Sequence, residues 1–85
     1  MQLNIVGIDQ KEQFKVIWVE LQTKIGNLII QPEHAPMIIE LQPKTQVRFC
    51  LDSSKQKTID ISAGFAHITR KSVTVLVDNS LWSSL

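Results

Sequence analysis

Cysteine, glycine and proline are scarce in this sequence, which has one cysteine, Cys50, and three each of glycine and proline among 85 residues. A lone cysteine cannot close an internal disulfide, and small secreted domains usually depend on several, so the composition indicates a reducing compartment. No apolar run approaches the roughly 20 residues that span a bilayer as a helix. The first residues also lack the basic flank and apolar run of a signal peptide. We therefore expect a soluble domain.

Neither sign of charge predominates. Nine Lys and Arg residues stand against eight Asp and Glu residues, which gives a formal net charge of +1. Nucleic-acid binders usually carry clustered Lys and Arg, whereas the adjacent basic pair here, Arg70 and Lys71, is more simply a solvated turn. The charge pattern argues against a nucleic-acid partner.

Motifs for catalysis and for cofactors are also missing. The two histidines, His34 and His67, accompany no nucleophile-elbow sequence, and together with one cysteine they lack metal-ligand spacing. The glycines at positions 7, 26 and 64 form no Gly-rich phosphate loop. We predict no catalytic site, no cofactor and no bound metal, and we rank a small hydrolase using either histidine last among the possible functions.

Residues that favour β-strands are abundant. Val, Ile, Thr and aromatic residues dominate the apolar segments, and no long stretch repeats with the period of a helix. A chain of 85 residues builds one domain. Turn-forming segments recur about every ten residues, which is typical of a β-sandwich or barrel. We predict strands near residues 2–8, 13–22, 27–31, 35–40, 46–51, 57–62, 65–69 and 72–78.

One segment, residues 14–21, is apolar on both of its faces. A strand of that kind must lie beneath a second layer, a loop or a partner, so the pattern predicts an interface. In residues 72–78, one face is a row of valines and Leu76 faces away. Strict alternation divides residues 14–21 into two faces. One face holds Phe14, Val16 and Trp18, and the other holds Ile17, Val19 and Leu21.

Two short segments predict rigid corners. Pro32 and Pro36 bracket His34 directly after an apolar strand, so the backbone there is stiffened. The simplest interpretation is a corner between strands, with His34 capped or solvated, and a binding role remains open. In residues 62–65, Gly64 predicts a strand-to-strand corner with close backbone approach.

Five segments, taken in order, resemble one known family, the epsilon subunit of F-type ATP synthases, which is called delta in mitochondria. Residues 26–36 (GNLIIQPEHAP) resemble the family's GELGILPGHAP. Each segment is weak alone, but together they cover nearly the whole chain. The other matches are residues 3–6 with Phe14 (family LDVVSPEKELF), 41–44 (LKPG), 62–68 (SGGFLEV) and 71–78 (NKVTVLAD).

The resemblance implies a flattened all-β sandwich of two antiparallel sheets over residues 1–78. In the family this domain lies at the foot of the central rotor stalk, where it binds the gamma subunit and the polar loops of the membrane-embedded c-ring. It helps couple ion-driven ring rotation to rotation of gamma, and it carries no nucleotide chemistry. The resemblance thus implies a non-catalytic subunit without a cofactor, peripheral at the cytoplasmic face of the bacterial inner membrane.

The family's contact residues transfer to this sequence in two groups. On the c-ring side the resemblance implies Asn27 and Glu33, within residues 24–33. Asn27 takes the place of an acidic residue, so it can hydrogen-bond but cannot form an ion pair, whereas Glu33 replaces a glycine and can restore a carboxylate. On the gamma side it implies Gly7, His34, Val73 and Val75.

The sequence departs from the family after residue 78. Members typically continue into a C-terminal helical hairpin that can inhibit ATP hydrolysis, whereas residues 79–85 (NSLWSSL) are too short for a stable helix. We expect this tail to stand in place of the hairpin, without its inhibition. The alternative function is a stand-alone epsilon-like interaction or regulatory module outside the rotor, because Asn27 and Glu33 both differ from the family.

Overall fold

Strands make up nearly all of the regular structure. The structure, a computed structural model, describes residues 1–78, so the predictions made for residues 79–85 lie outside the described residues. Within this range the chain forms eight strands: β1 (Gln2–Val6), β2 (Lys11–Thr23), β3 (Gly26–Ile30), β4 (Met37–Glu40), β5 (Thr45–Leu51), β6 (Gln56–Ile61), β7 (Gly64–Ile68) and β8 (Ser72–Val77).

The strands predicted from the sequence are all present. The largest differences, at β1, β2 and β4, amount to two residues. β1 ends early because the Gly7 N–H turns to donate to the Gln10 carbonyl at 2.8 Å. β4 begins late, after Pro36, which has no N–H to donate to a ladder. Period-two alternation between turn residues was therefore a sufficient signal for strand existence.

The strands form two layers that share β2. In the first sheet the strand order is β4-β7-β8-β1-β2, and residues 11–15 of β2 make the last pairing. In the second sheet the order is β3-β2-β5-β6, and residues 16–23 of β2 take part. The molecule measures 28 × 28 × 19 Å. The prediction of a flattened all-β sandwich is confirmed.

One strand pair corrects the expectation of purely antiparallel sheets. β1 and β8 run parallel, with Gln2 beside Ser72 and Val6 beside Leu76. The other six pairs are antiparallel. Parallel neighbours need a long connection between them, and here the whole intervening chain supplies it. No local sequence pattern could show that the first and last strands are adjacent.

The hydrophobic core lies between the two sheets. Leu3 and Ile5 of β1 and the valines of β8 meet Phe49 and Ile59 of the second sheet, all of them buried. The rings of Phe14 and Phe49 lie 4.9 Å apart between centroids, tilted by 43°. The other buried residues of this core are Val16, Val19, Leu21, Ile30, Leu41, Val47, Ile61, Ala66 and Ile68.

β2 passes from one sheet to the other at a register shift between Val16 and Trp18. The extra residue, Ile17, is 45% exposed, whereas Val16 and Val19 are both buried. A bulge of this kind adds one residue and so reverses the alternation beyond it. The prediction that Ile17 shares a face with Val19 is therefore wrong. An interface was predicted because residues 14–21 look apolar on both faces of a regular strand. The bulge explains part of that pattern.

A candidate partner-binding surface

Apolar side chains form a continuous surface on the outer face of the first sheet. Ile38 is 72% exposed, Phe65 51% and Leu76 48%, and Val6 is half-buried. Phe65 is the register partner of Leu76, and Leu76 is the register partner of Val6, so these three lie in one row across β7, β8 and β1. Ile38 lies in the next row, beside His67. We call Val6, Ile38, Phe65 and Leu76 the outer apolar surface.

Strand alternation places these residues outward because their neighbours fill the core. Ala66 and Ile68 of β7 are buried, so Phe65 and His67 face solvent. A contiguous exposed apolar patch on a small domain marks an interaction site more often than scattered apolar residues do. The outer face of the first sheet is therefore the leading candidate for a partner-binding surface.

The predicted gamma-side contacts at Val73 and Val75 are contradicted by this arrangement. Both side chains are fully buried between the sheets, and they cannot reach a partner. Leu76, between Val75 and Val77 on β8, is the residue of this strand that faces outward. A contact through β8 would therefore have to use Leu76 and not the two valines.

Charged groups lie only at the ends of the row that contains Phe65 and Leu76. Glu40 is the register partner of Phe65, and Lys11 is the register partner of Val6. The Glu40 carboxylate lies 3.7 Å from Lys24 Nζ on the neighbouring hairpin. In the row with Ile38, Asn4 Nδ2 donates to Thr74 Oγ1 at 3.2 Å. A partner would therefore meet an uncharged row with one charge at each end, Lys11 at one and the Lys24-paired Glu40 at the other.

A second exposed apolar side chain, Ile25, lies at the tip of the β2–β3 hairpin, beside the Glu40 end of the row. Ile25 is 94% exposed. The Thr23 hydroxyl donates to the Gly26 carbonyl at 2.8 Å and accepts from the Ile25 N–H at 3.3 Å. Gly26 has φ of 118°, a value that side chains disfavour. These bonds hold the tip, residues 24–26, in one conformation with Ile25 in solvent.

The two residues predicted for the c-ring side do not form one patch. Asn27 is exposed at the start of β3, and its Nδ2 donates to Glu20 Oε2 at 2.9 Å. Glu33 follows the other end of β3, where it has φ of 70° and its N–H donates to the Arg70 carbonyl at 2.8 Å. Most of β3 therefore separates their backbones. Residues 24–33 are a strand with a turn at each end rather than a single loop.

Gly7 and His34 flank the outer apolar surface from opposite ends of β1. Gly7 begins the turn after β1. His34 is half-buried, with its Nδ1 2.8 Å from the Ala35 carbonyl. Its loop is tied to Arg70 in the β7–β8 turn, and the neighbouring Lys71 accepts from the Gln2 N–H at the start of β1. The fold therefore sets these two predicted contacts on either side of the surface.

Sequence reasoning did not select Ile25, Ile38 or Phe65 as candidate contacts. Ile38 and Phe65 belong to strands, where an apolar residue is usually assigned to the core. Ile25 belongs to a turn, where no pattern drew attention to it. Leu76 was correctly expected to face away from the valine row. Within residues 1–78, the structure contains no group of three or more His, Cys, Asp or Glu side chains that could hold a metal, and Cys50 is buried. None of residues 1–78 belongs to a helix that is long and apolar enough to cross a membrane.

Comparison with known proteins points to one family. The family model for the ATP synthase delta/epsilon chain β-sandwich domain matches residues 1–83. An ATP synthase epsilon chain of Mycobacterium avium is 26% identical over 85 residues, covering 99% of this chain and 70% of that protein. An ATP synthase epsilon chain 2 of Ralstonia nicotianae is 36% identical over 56 residues, covering 66% of this chain and 40% of that protein.

Solved structures share the fold. A chain in the Euglena gracilis mitochondrial ATP synthase superposes with a TM-score of 0.84 at 20% identity, covering 94% of this chain and 51% of that one. A chain in the central stalk and c-ring of the Tetrahymena thermophila mitochondrial ATP synthase superposes with a TM-score of 0.78 at 14% identity, covering 93% and 63%. This chain thus spans about half to two thirds of these structural relatives.

Proposed function

The chain belongs to the ATP synthase delta/epsilon chain family, through that family's β-sandwich domain, and we propose that it is a non-catalytic subunit of the central rotor stalk of an F-type ATP synthase. In this role it binds the gamma subunit and the c-ring and couples ion-driven rotation of the ring to ATP synthesis. The complex is membrane-associated, and the chain lies peripherally, at the cytoplasmic face of a bacterial inner membrane.

The outer apolar surface is the observation that carries the gamma contact. Phe65 and Leu76 are half exposed in a row with no charge between them, and burying the exposed half of such a side chain favours association by about 0.7–1.5 kcal/mol. We place Gly7 and His34 at the two ends of this footprint, since they flank it along β1. Leu76 and Phe65 take the roles first given to Val75 and Val73.

We place the c-ring contact at the hairpin tip. Ile25 is almost fully exposed, and Asn27 follows it at the start of β3. Because the Asn27 amide already donates to Glu20, its remaining N–H and its carbonyl oxygen are the groups left for polar loops of the ring. Glu33 lies at the other end of β3 and is not part of this contact.

Titration of the purified gamma subunit into this chain tests the gamma contact. Leu76→Lys should weaken binding at least about tenfold, because the change removes apolar burial and places a charge in the row's centre. Ile17→Lys is the matched control, since Ile17 is similarly exposed but lies at the β2 bulge. Equal affinities for the two variants would count against this surface, and no binding by the unaltered chain would count against the rotor role itself.

Site-specific crosslinking tests the ring contact. Cys50 is the only cysteine, so a Cys50→Ala background permits one new thiol at a chosen position. In an assembled synthase, a photoreactive maleimide on Ile25→Cys should crosslink to a c subunit. The same reagent on Ser53→Cys, in the exposed β5–β6 turn, should not. Crosslinking from Ser53→Cys alone would overturn the assigned orientation.

A further inference from the structure

His67 lies among the residues of the outer apolar surface. Its side chain is exposed on the outer face of β7, because the residues before and after it are buried. Its register partners are Ile38 on β4 and Thr74 on β8. Phe65 precedes it by two positions on the same face, and Leu76 lies diagonally across from it on β8. The imidazole therefore has three members of the outer apolar surface as neighbours.

The charged groups on the elements around His67 lie toward the ends of the strands. β1 and β8 carry no charged residue along their lengths. On β4 the nearest charge is Glu40, diagonal to His67, and its carboxylate is 3.7 Å from Lys24 Nζ. Beyond the strands, the β7–β8 turn holds Arg70 and Lys71, the loop before β4 holds Glu33 and His34, and Asp78 follows β8. His67 is thus the titratable side chain in the middle of this face.

A histidine in this position brings charge into the surface only when it is protonated. Histidine side chains change charge between about pH 5 and pH 8. On the free chain, water solvates the imidazolium. Under a partner that covers its apolar neighbours, the imidazolium loses that water, and burial without a counter-charge disfavours the charged form. The nearest carboxylate of the chain, Glu40, already faces Lys24.

We propose that His67 is a gamma-contact residue that makes gamma binding depend on pH, with the neutral imidazole as the form that binds. The inference rests on the proposed rotor function and on the outer apolar surface as the gamma contact. The free chain takes up a proton as the pH falls, and the complex does not. Affinity is therefore greatest above the range in which histidine titrates and is lost as the pH falls through that range.

The size of the effect follows from one excluded proton. Between pH 7.5 and 5.5, the dissociation constant for gamma should rise about three- to tenfold, where the upper value corresponds to complete exclusion of the proton from the complex. Ionisable groups of gamma add the same dependence for every variant of this chain. The difference between variants therefore isolates the contribution of His67.

Isothermal titration calorimetry of gamma with three forms of the chain, at pH 7.5 and 5.5, tests the proposal. The unaltered chain should show the full loss of affinity. His67→Gln keeps a polar, uncharged side chain at both pH values, so the additional three- to tenfold loss should disappear. His67→Lys carries a charge at both pH values, so it should bind weakly at pH 7.5 and show no additional loss at pH 5.5.

His34→Gln is the matched control, because it removes the other histidine of the chain. His34 lies at one end of the gamma footprint, and its Nδ1 is 2.8 Å from the Ala35 carbonyl. A protonated His34 ring therefore keeps an acceptor within its own loop. The ratio of the two dissociation constants, measured for this variant alone, should match that of the unaltered chain.

Proton release gives a second readout. At pH 6.0, titrations in two buffers of different ionisation enthalpy should show that the unaltered chain releases more protons on binding gamma than His67→Gln does. Equal release would contradict the exclusion of a proton from the complex. Thermal unfolding of each variant at both pH values shows whether it is folded during the titrations.

The remaining outcomes are distinct. A pH dependence that is the same for the unaltered chain and His67→Gln overturns the inference, and so does one that His34→Gln abolishes. Affinity that rises as the pH falls, only when His67 is present, also overturns it, because the imidazolium would then pair with a gamma carboxylate. Failure of the unaltered chain to bind gamma at either pH overturns the rotor role as well, whereas the other outcomes leave that role intact.

Discussion

Glu20 illustrates how a single buried charge is accommodated in this fold. It is 8% exposed on the outer face of the second sheet. Arg48 Nη2 donates to one carboxylate oxygen at 2.9 Å, and Asn27 Nδ2 donates to the other at 2.9 Å. The Arg48 guanidinium also lies 5.9 Å from the Trp18 ring centroid. A carboxylate this buried is stable only with such partners, so Asn27 has a structural role in addition to any contact with the ring.

Replacement of this carboxylate should destabilise the domain. We expect Glu20→Ala to lower the free energy of unfolding by about 1–3 kcal/mol, because Arg48 and Asn27 both lose their acceptor. Glu20→Gln keeps an acceptor of the same length and should cost less. Urea unfolding followed by tryptophan fluorescence measures both. Identical midpoints for Glu20→Ala and the unaltered chain would show that the cluster contributes nothing to stability.

Gly64 lies close to the backbone of the neighbouring strand. A Cβ at this position would collide with the backbone carbonyl oxygen of Leu76 on the paired strand. The close approach predicted for this corner is therefore confirmed. Ala63, which replaces a family glycine, lies outside the positive-φ region, also as expected.

The two structurally demanding glycines should respond differently to alanine. Gly64→Ala should cost about 2–3 kcal/mol, because β7 and β8 must separate to admit a methyl group. Gly26→Ala should cost about 1–2 kcal/mol, because the site has open space and only the positive φ opposes a side chain. Thermal unfolding of both variants checks the order. A larger loss for Gly26→Ala would contradict the steric explanation.

At the scale of the element, β2 determines how the two sheets are joined. Its first five residues pair with β1, its last eight residues lie in the second sheet, and the register shift at Ile17 separates the two parts. A bulge bends a strand and increases its twist, which lets one strand serve both layers. Trp18 consequently faces outward over Arg48, rather than into the core beside Val16.

Neighbouring substitutions in β2 test the bulge. Val19→Thr should lower the free energy of unfolding by about 1–3 kcal/mol, because a hydroxyl is placed in the core. Ile17→Thr should change it by no more than about 0.5 kcal/mol, since this side chain is largely solvated. If the strand alternated strictly, Val19 and Ile17 would share a face, and the two substitutions would lower the free energy of unfolding by similar amounts. Denaturant titrations that gave similar losses would contradict the bulge.

At the scale of the whole molecule, charge is balanced and the candidate surface is apolar. The net charge is +1, and the outer apolar surface has charges only at its ends. Association with gamma should therefore be driven by burial of apolar area rather than by attraction between opposite charges. Such binding also adds to the stability of a small domain by mass action.

This balance predicts the thermodynamics of gamma binding. Raising the salt concentration from about 50 to 500 mM should change the dissociation constant by less than about threefold, because little charge lies in the contact. The heat-capacity change on binding should be negative, as expected for buried apolar surface. Isothermal titration calorimetry at several temperatures and salt concentrations measures both. A steep loss of affinity with salt would indicate a charged contact elsewhere on the domain.

Sequence patterns could not predict most of the candidate surface, because its residues come from strands that are far apart in the sequence. Alternation predicted that Leu76 opposes the valines of β8, but it did not indicate that Phe65, Ile38 and Val6 lie beside it. Those neighbours come from β7, β4 and β1, and their adjacency depends on strand pairing across large sequence separations. Conversely, Asn27 and Glu33 were both expected on the ring side within residues 24–33, and β3 holds them apart.

Patterns of neighbouring residues in the sequence predicted the eight strands, the turns between them and the close approach at Gly64. Such patterns also identified the family to which the chain belongs. These features depend on residues a few positions apart, so a linear pattern contains them. The tertiary structure alone decided the parallel pairing of β1 with β8, the reversal of faces at Ile17, and the surface that the exposed apolar residues form together. Each of these depends on which strands become neighbours, and only packing of the whole chain settles that.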